Sequence, residues 1–192
     1  MKGRQCMTAT GLSSESRERR ITFARIIGLR CLVALFIGFQ FWDIVGLRIN
    51  ASPSLPIGLY VTSSAASANL VEFCPAEPFA SLALSRGYRD PGACSDGGAP
   101  LLKPVVARAG DLVELSAAGI AVNGHLWPNT APLRRDTKGR PLSSWPLGRY
   151  IVQPGFIWVA SSYNSRSFDS RYFGPLAISS IRDYVKPLLT LR

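Results

Sequence analysis

A mainly β domain behind one N-terminal membrane anchor is the architecture this sequence predicts, and three observations predict it. After residue 47 the apolar segments are short, β-branched and aromatic, with turn signals between them at close intervals. One run near the N-terminus stays apolar for long enough to span a bilayer. The basic residues crowd just ahead of that run. At 192 residues, 47% hydrophobic and 18% charged, the chain can bury one core of ordinary size. The same numbers exclude an acidic disordered tail, a collagen-like fibre and a disulfide-dense mini-protein.

Residues 1–25 read as a basic tail without apolar periodicity. Through residue 30 the chain holds Lys2, Arg4, Arg17, Arg19, Arg20, Arg25 and Arg30 against Glu15 and Glu18, a net of +5 out of the formal +10. Residues 26–47 (IIGLRCLVALFIGFQFWDIVGL) follow as the anchor. As a helix this run would measure about 33 Å, enough for a hydrocarbon core of about 30 Å. Arg30 and Asp43 sit near its ends, and Trp42 suits the headgroup belt. The positive-inside rule then leaves the N-terminus in the cytoplasm and exports residues 48–192. A cleaved signal peptide would share the basic start, but no A-x-A-like site follows the run. A buried core helix would show a polar stripe, which this run hardly has. Nucleic acid is not an expected partner, because the positive charge is terminal rather than a dense stripe with interleaved aromatics.

In the exported part, IGLYVTS, LLKPVVARAGDLVEL, AGIAVNGHLW and RYIVQPGFIWVAS read as strands and turns. Asn123-Gly124, within Ala118 to Trp127, signals a tight hairpin, and Pro154-Gly155 a second turn. Two stretches rich in Gly, Pro and Ser, residues 76–100 and 128–148, are too long for hairpin loops. They read as surface excursions with room for a short helix. Cys6 falls in the tail and Cys31 in the anchor, so Cys74 and Cys94 are the pair available for a disulfide in an oxidising space. Two free buried thiols are the alternative, and spacing alone does not choose.

The chemistry must come from few residue types. With one histidine and no CxxC pair, no metal site is expected, and no phosphate- or dinucleotide-binding glycine motif implies a cofactor. His125 lies at the tip of the Asn123-Gly124 turn, where a solvated side chain is expected rather than a triad member. Among four lysines, Lys103 alone is embedded in an apolar strand, Leu101 to Val106. Burial would lower its pKa, and a neutral amine can serve as general base to a serine hydroxyl. A lysine snorkelling from a strand edge is the alternative. Directly after the anchor, Asn50 to Tyr60 (NASPSLPIGLY) offers Ser52 and Ser54 on a segment stiffened by proline. Irregular, rigid backbone of this kind can hold a hydroxyl and a free N–H toward a carbonyl; a plain juxtamembrane spacer is the alternative.

Taken in order, Ser54-Leu55-Pro56-x-Gly58-x-Tyr60, then Lys103 with Gly110-Asp111, then Ser167-Phe168-Asp169-Ser170-Arg171-Tyr172-Phe173-Gly174-Pro175 resemble the signature boxes of the type I signal peptidases. The branch they resemble most is the TraF-type conjugative transfer peptidases. The resemblance implies a β-rich fold of antiparallel sheets with its site in an apolar groove next to the membrane. It implies Ser54 as nucleophile, Lys103 as general base, and an oxyanion hole from the Ser54 backbone N–H and the Ser52 hydroxyl. Ser167 would orient the Lys103 amine, with Asp169 and Arg171 as a supporting ion pair, and Gly110-Asp111 would be a structural turn. The implied setting is a bacterial inner membrane, single-pass, with the catalytic domain in the periplasm and membrane lipid around residues 26–47. The implied activity is cleavage of an exported precursor, a pilin subunit, through an acyl-enzyme, closed by water or by the precursor's own amine, with no cofactor. Leu55 followed at once by Pro56, Ala109 before Gly110-Asp111, and Tyr163 to Arg166 leading the third box depart from the general signal peptidases. A general signal peptidase and a non-catalytic pilus assembly factor are the competing expectations.

Overall fold

The computed structural model describes residues 23, 25–33, 36, 46–65 and 68–191. The chain divides into two units, Met1–Gly46 and Leu47–Arg192. In the first, residues 25–33 are helical and exposed, and among the described residues no helix is long and apolar enough to cross a membrane. The basic tail and most of the expected anchor at 26–47 lie outside the described residues. Leu47, the last residue of that run, opens the first strand of the second unit.

The second unit is built of antiparallel strands. In chain order they are β1 (Leu47–Asn50), β2 (Gly58–Thr62), β3 (Leu70–Phe73), β4 (Leu101–Ala107), β5 (Leu112–Ser116), β6 (Gly119–Val122), β7 (His125–Leu126), β8 (Gly148–Ile151), β9 (Phe156–Val159), β10 (Leu176–Ala177) and β11 (Ile181–Thr190). Seven of them form one sheet in the order β1-β2-β11-β3-β4-β9-β10, and the remaining four form a second in the order β7-β6-β5-β8. The sequence segments that read as strands are thus strands, yet their neighbours are not always their partners. The turn at Gly110-Asp111 leads from β4 in the large sheet into the small one at β5, and the Pro154-Gly155 turn leads from β8 in the small sheet back to β9 in the large one. The Asn123-Gly124 hairpin is local: Val122 pairs with His125, and both turn residues take positive φ, 50° and 84°, the geometry that Asn-Gly tolerates best.

Alternation along β9 explains how the two sheets share a core. Ile157 and Val159 face one cluster with Val71, Phe73, Leu101 and the aromatics Phe168, Tyr172 and Phe173. Trp158 and Ala160 face the other, with Val113, Leu115, Ile120 and Val122 of the small sheet. β4 passes between the same clusters, contributing Leu101 to the first and Val106 and Ala107 to the second. Its pairing with β9 slips between Val105 and Ala107, an irregularity of the kind that turns a strand's side chains from one face to another. Each fully buried Val, Leu, Ile or Phe contributes about 1.5–3 kcal/mol by leaving water. This shared core therefore fixes β4, the strand that carries Lys103.

Both excursions contain ordered structure. The first holds the short helix Phe79–Ser85, and Cys74 and Cys94 are joined by a disulfide across it, which removes the alternative of free thiols. The second is tied to the first: Tyr88 donates to Asp136 at 2.7 Å, Arg86 to the Pro141 carbonyl at 2.6 Å, and Arg140 to the Arg86 carbonyl at 2.8 Å. These bonds turn two surface stretches into one wall.

Candidate active site

The segment between β1 and β2 carries Ser54, and its shape is set by three side chains. Asn50 donates from Nδ2 to the carbonyls of Ser52 at 2.9 Å, Leu55 at 3.2 Å and Pro56 at 3.2 Å. Tyr60, buried in β2, donates its hydroxyl to the Pro56 carbonyl at 2.6 Å. Ser161, fully buried, donates its hydroxyl to the carbonyl of Ser54 itself at 2.5 Å. Proline prevents ladder pairing here, so side chains must satisfy the loop's carbonyls. Gly58, where β2 begins, has φ +155°, and a Cβ there would run into the carbonyl oxygen of Leu189 on β11. That close approach is the physical need for glycine in the first box.

Lys103 comes from the interior strand β4, between β3 and β9, and is 4% exposed. It does not snorkel from an edge. Its Nζ lies 2.6 Å from Ser54 Oγ and 2.9 Å from Ser167 Oγ. Burial lowers its pKa from 10.5 to about 8; the Asp169 carboxylate pulls the other way and the Arg171 guanidinium adds to the lowering. About a tenth of the amine is therefore neutral at pH 7, far more than for a lysine in water, with its lone pair in hydrogen-bond reach of a serine hydroxyl.

Behind the lysine, Asp169 and Arg171 pair with both side chains 0% exposed. Arg171 donates Nε to Asp169 Oδ1 at 2.8 Å and Nη2 to Oδ2 at 2.8 Å, a two-pronged contact. The rest of the guanidinium is used on main-chain carbonyls: Ser167 at 2.8 Å, Ser165 at 2.9 Å and Asn129 at 3.2 Å. Burial alone would lower the Arg171 pKa, but the hydrogen bond and charge of Asp169 outweigh it and the value is raised. Asp169 also caps the one-turn helix Ser170–Phe173, accepting from the Arg171 N–H at 3.3 Å, and its Oδ2 accepts the Ser161 N–H at 3.1 Å. One carboxylate thus joins Arg171, the third box and the residue that holds the Ser54 carbonyl.

The sequence-selected residues Ser54, Lys103 and Ser167 meet directly, and Asp169 and Arg171 support them. Ser52 is at the rim. Its hydroxyl donates to Asn50 Oδ1 at 3.0 Å, a bond it would have to release to reach an oxyanion. The Ser54 backbone N–H has no hydrogen-bond partner among the described residues. Asp111 is structural, accepting from the Arg108 N–H at 2.8 Å and from Asn123 Nδ2 at 2.8 Å. His125 is exposed in β7 of the small sheet. Asn50 and Ser161 escaped the sequence reading. Asn50 opens the segment that carries Ser54 but has no marker of a role there, and nothing in the polar run Ser161 to Asn164 marks its first residue.

A cleft of about 570 Å³ opens beside the Ser54–Lys103 contact, lined by Ser52, Ser54, Lys103 and Ser167 and walled by residues of both excursions, Tyr88 and Leu142 among them. A second cleft of about 580 Å³ starts at Leu55 and Pro56 and runs past Tyr60, Pro104 and Val185. The loop that carries Ser54 therefore has a depression on either side, Ser52 to Ser54 lining the first and Leu55 and Pro56 the second. The excursions, read from the sequence as surface features, form the far wall of the first.

Residues 20–188 match the family model described as signal peptidase, peptidase S26. A plasmid transfer protein TraF of Escherichia coli is 37% identical over 148 residues, covering 76% of this chain and 83% of that protein. A conjugal transfer protein TraF of Agrobacterium fabrum (strain C58 / ATCC 33970) is 35% identical over 180 residues, covering 91% of this chain and 98% of that one. A solved signal peptidase I from Enterococcus faecalis V583 is 16% identical, with a TM-score of 0.35 over 64% of this chain and 97% of that one. By the family match and by relatives that align over most of its length, the chain belongs to the signal peptidase family, peptidase S26, alongside the TraF transfer proteins.

Proposed function

We propose that the chain is a serine endopeptidase of the Ser-Lys type that processes an exported precursor, a conjugative pilin subunit, at the periplasmic face of a bacterial inner membrane. The single observation that carries this reading is the 2.6 Å contact between Ser54 Oγ and the Nζ of a buried lysine whose pKa has fallen to about 8. The TraF relatives, named for plasmid and conjugal transfer, support a pilin as substrate, and the basic, apolar N-terminus supports the membrane setting.

The chemistry runs in two halves. In the first, the neutral Lys103 amine takes the Ser54 proton as Oγ bonds to the scissile carbonyl carbon, and the free Ser54 N–H, with Ser52 if it turns, meets the oxyanion. The tetrahedral species collapses by breaking the C–N bond, and Nζ returns the proton to the departing amine. In the second, Lys103 takes a proton from water, or from an amine of the precursor, as that group attacks the ester carbon; the bond from that carbon to Ser54 Oγ then breaks, and Nζ returns the proton to Oγ. Ser167 holds Nζ on line throughout, and Asp169 and Arg171 hold the segment that carries Ser167.

The test is an immunoblot for precursor maturation in cells carrying wild type, Ser54→Ala or Lys103→Ala, with membrane accumulation of each variant checked in parallel. Both variants should lose processing by at least about 10³-fold, since nucleophile and base act as a unit. Normal maturation with either variant would sink the reading in favour of an assembly factor that does not cut. A panel of unrelated secretory precursors separates a dedicated peptidase from a general one: cleavage of many would favour the latter.

A further inference from the structure

The cleft beside the dyad has a charge balance that the peptidase reading alone does not require. Its wall carries two cations besides Lys103, Arg135 from the second excursion and Arg166 just ahead of the third box, and one carboxylate, Asp136. That carboxylate is already occupied. It accepts the Tyr88 hydroxyl at 2.7 Å, Arg140 Nε at 2.6 Å, and the backbone N–H groups of Lys138 at 2.9 Å and Arg140 at 3.0 Å. Those bonds overcome the cost of burial and hold it well below the usual carboxylate range. The two arginines are not occupied in the same way. Arg135 gives one nitrogen to the Gly139 carbonyl at 2.7 Å, and the Arg166 guanidinium makes no hydrogen bond or ion pair among the described residues. Both are exposed to the cleft.

Which part of a bound chain lies there follows from the proton's route. The amine that takes the proton from Ser54 must deliver it to the departing nitrogen, so the leaving side of the substrate passes over Lys103 and Ser167. Arg166, Ser167 and Phe168 are consecutive residues of the wall on that side. The cleft on the other side of the nucleophile loop is lined mostly by apolar residues and offers Lys186 as its charge.

On the footing of the proposed peptidase activity, we infer that Arg135 and Arg166 select the leaving segment of the precursor by binding a carboxylate on it, an acidic side chain or the free C-terminus. A carboxylate accepts several N–H bonds at once, and guanidinium groups present donors in matching geometry.

The experiment uses the full chain in detergent with internally quenched peptides that span the precursor's processed junction. One pair carries Glu or Gln in the leaving segment; a second ends in a free carboxylate or an amide. Wild type should favour the charged member of at least one pair by about tenfold in kcat/KM, and the pair that responds identifies the source of the carboxylate. In the Arg135→Gln/Arg166→Gln double variant the ratio should fall to within about twofold of unity. Wild-type cleavage without charge preference, or a preference that survives in the double variant, overturns this inference and leaves the peptidase reading standing. No cleavage of any peptide by wild type overturns both. Equal weakening of every peptide in the double variant, with loss of binding to phosphatidylglycerol vesicles, assigns the arginines to lipid and also overturns it.

Discussion

Lys103 is held in a site that penalises its charge, and that one fact sets both the pH dependence and a stability cost. In the folded chain its pKa is about 8, against 10.5 for the same group in water. Below pH 8 both folded and unfolded chains bind the proton, and the folded state bears the whole cost of a buried ammonium. Between 8 and 10.5 the unfolded chain holds a proton that the folded chain has released, so stability rises with pH across this window and is level above it. The difference corresponds to about 3 kcal/mol. Lys103→Met should therefore be more stable than wild type at pH 7 by an amount of that order, with the advantage fading as pH approaches 10.5; urea titrations at pH 7 and pH 10 measure it. An unchanged or lower midpoint at pH 7 would mean that the amine is solvated in place. For activity the sign is the same: kcat/KM should climb through about pH 8 and level off, because only the neutral amine accepts the Ser54 proton. A profile flat from pH 6 to 9 would exclude Lys103 as the base.

The element that matters most is the proline-rich loop between β1 and β2, because Ser54, the proposed nucleophile, has no regular ladder to hold it. Its carbonyls are held by Asn50, Tyr60 and Ser161, the last reaching across 107 residues. Ser161→Ala removes the donor to the Ser54 carbonyl and leaves a buried acceptor unmatched, at a cost of about 1–3 kcal/mol. At a temperature where the variant is fully folded, kcat should fall about 10- to 100-fold with KM within twofold of wild type, since Ser161 positions Ser54 and touches no substrate. A rise in KM with kcat intact would give Ser161 a binding role instead. Ser54 and Lys103 were legible in the sequence because each is a scarce or oddly surrounded group, a serine among prolines and a lysine among aliphatics. Ser161 was not, because its role is a bond to a main-chain carbonyl far away in sequence, and such a bond leaves no residue pattern. The strands were legible for the opposite reason: their period and their turn residues are local. Which strands pair was not, since the crossings at Gly110-Asp111 and Pro154-Gly155 depend on two cores that only the folded chain defines.

At the scale of the whole second unit, the long excursions are what convert a β scaffold into an enclosed site. Phe168 stacks on Tyr172 with centroids 5.5 Å apart and meets Tyr88 of the first excursion at 5.2 Å, so the third box and the cleft wall share one aromatic cluster. Within the first excursion, buried Arg89 pairs with Asp96 and donates to the carbonyls of Ala80 and Ala99, each at 3.2 Å. The Cys74–Cys94 disulfide closes this excursion over a separation of 20 residues. Constraining a loop of that length in the unfolded chain is worth about 3 kcal/mol. The Cys74→Ser/Cys94→Ser double variant should accordingly unfold at lower urea concentration by that amount. Its kinetic signature should differ from that of Ser161→Ala. Ser54 and Lys103 lie outside the loop from Cys74 to Cys94 that the disulfide closes, whereas Tyr88 and Gly87 stand within it and line the cleft. The double variant should therefore lose substrate affinity before it loses chemistry, with KM for a junction peptide raised several-fold and kcat within about twofold of wild type at 25 °C. Loss of kcat at unchanged KM would mean that the disulfide acts on the Ser54–Lys103 geometry itself, through the aromatic cluster, and that scaffold and cleft wall are one mechanical unit.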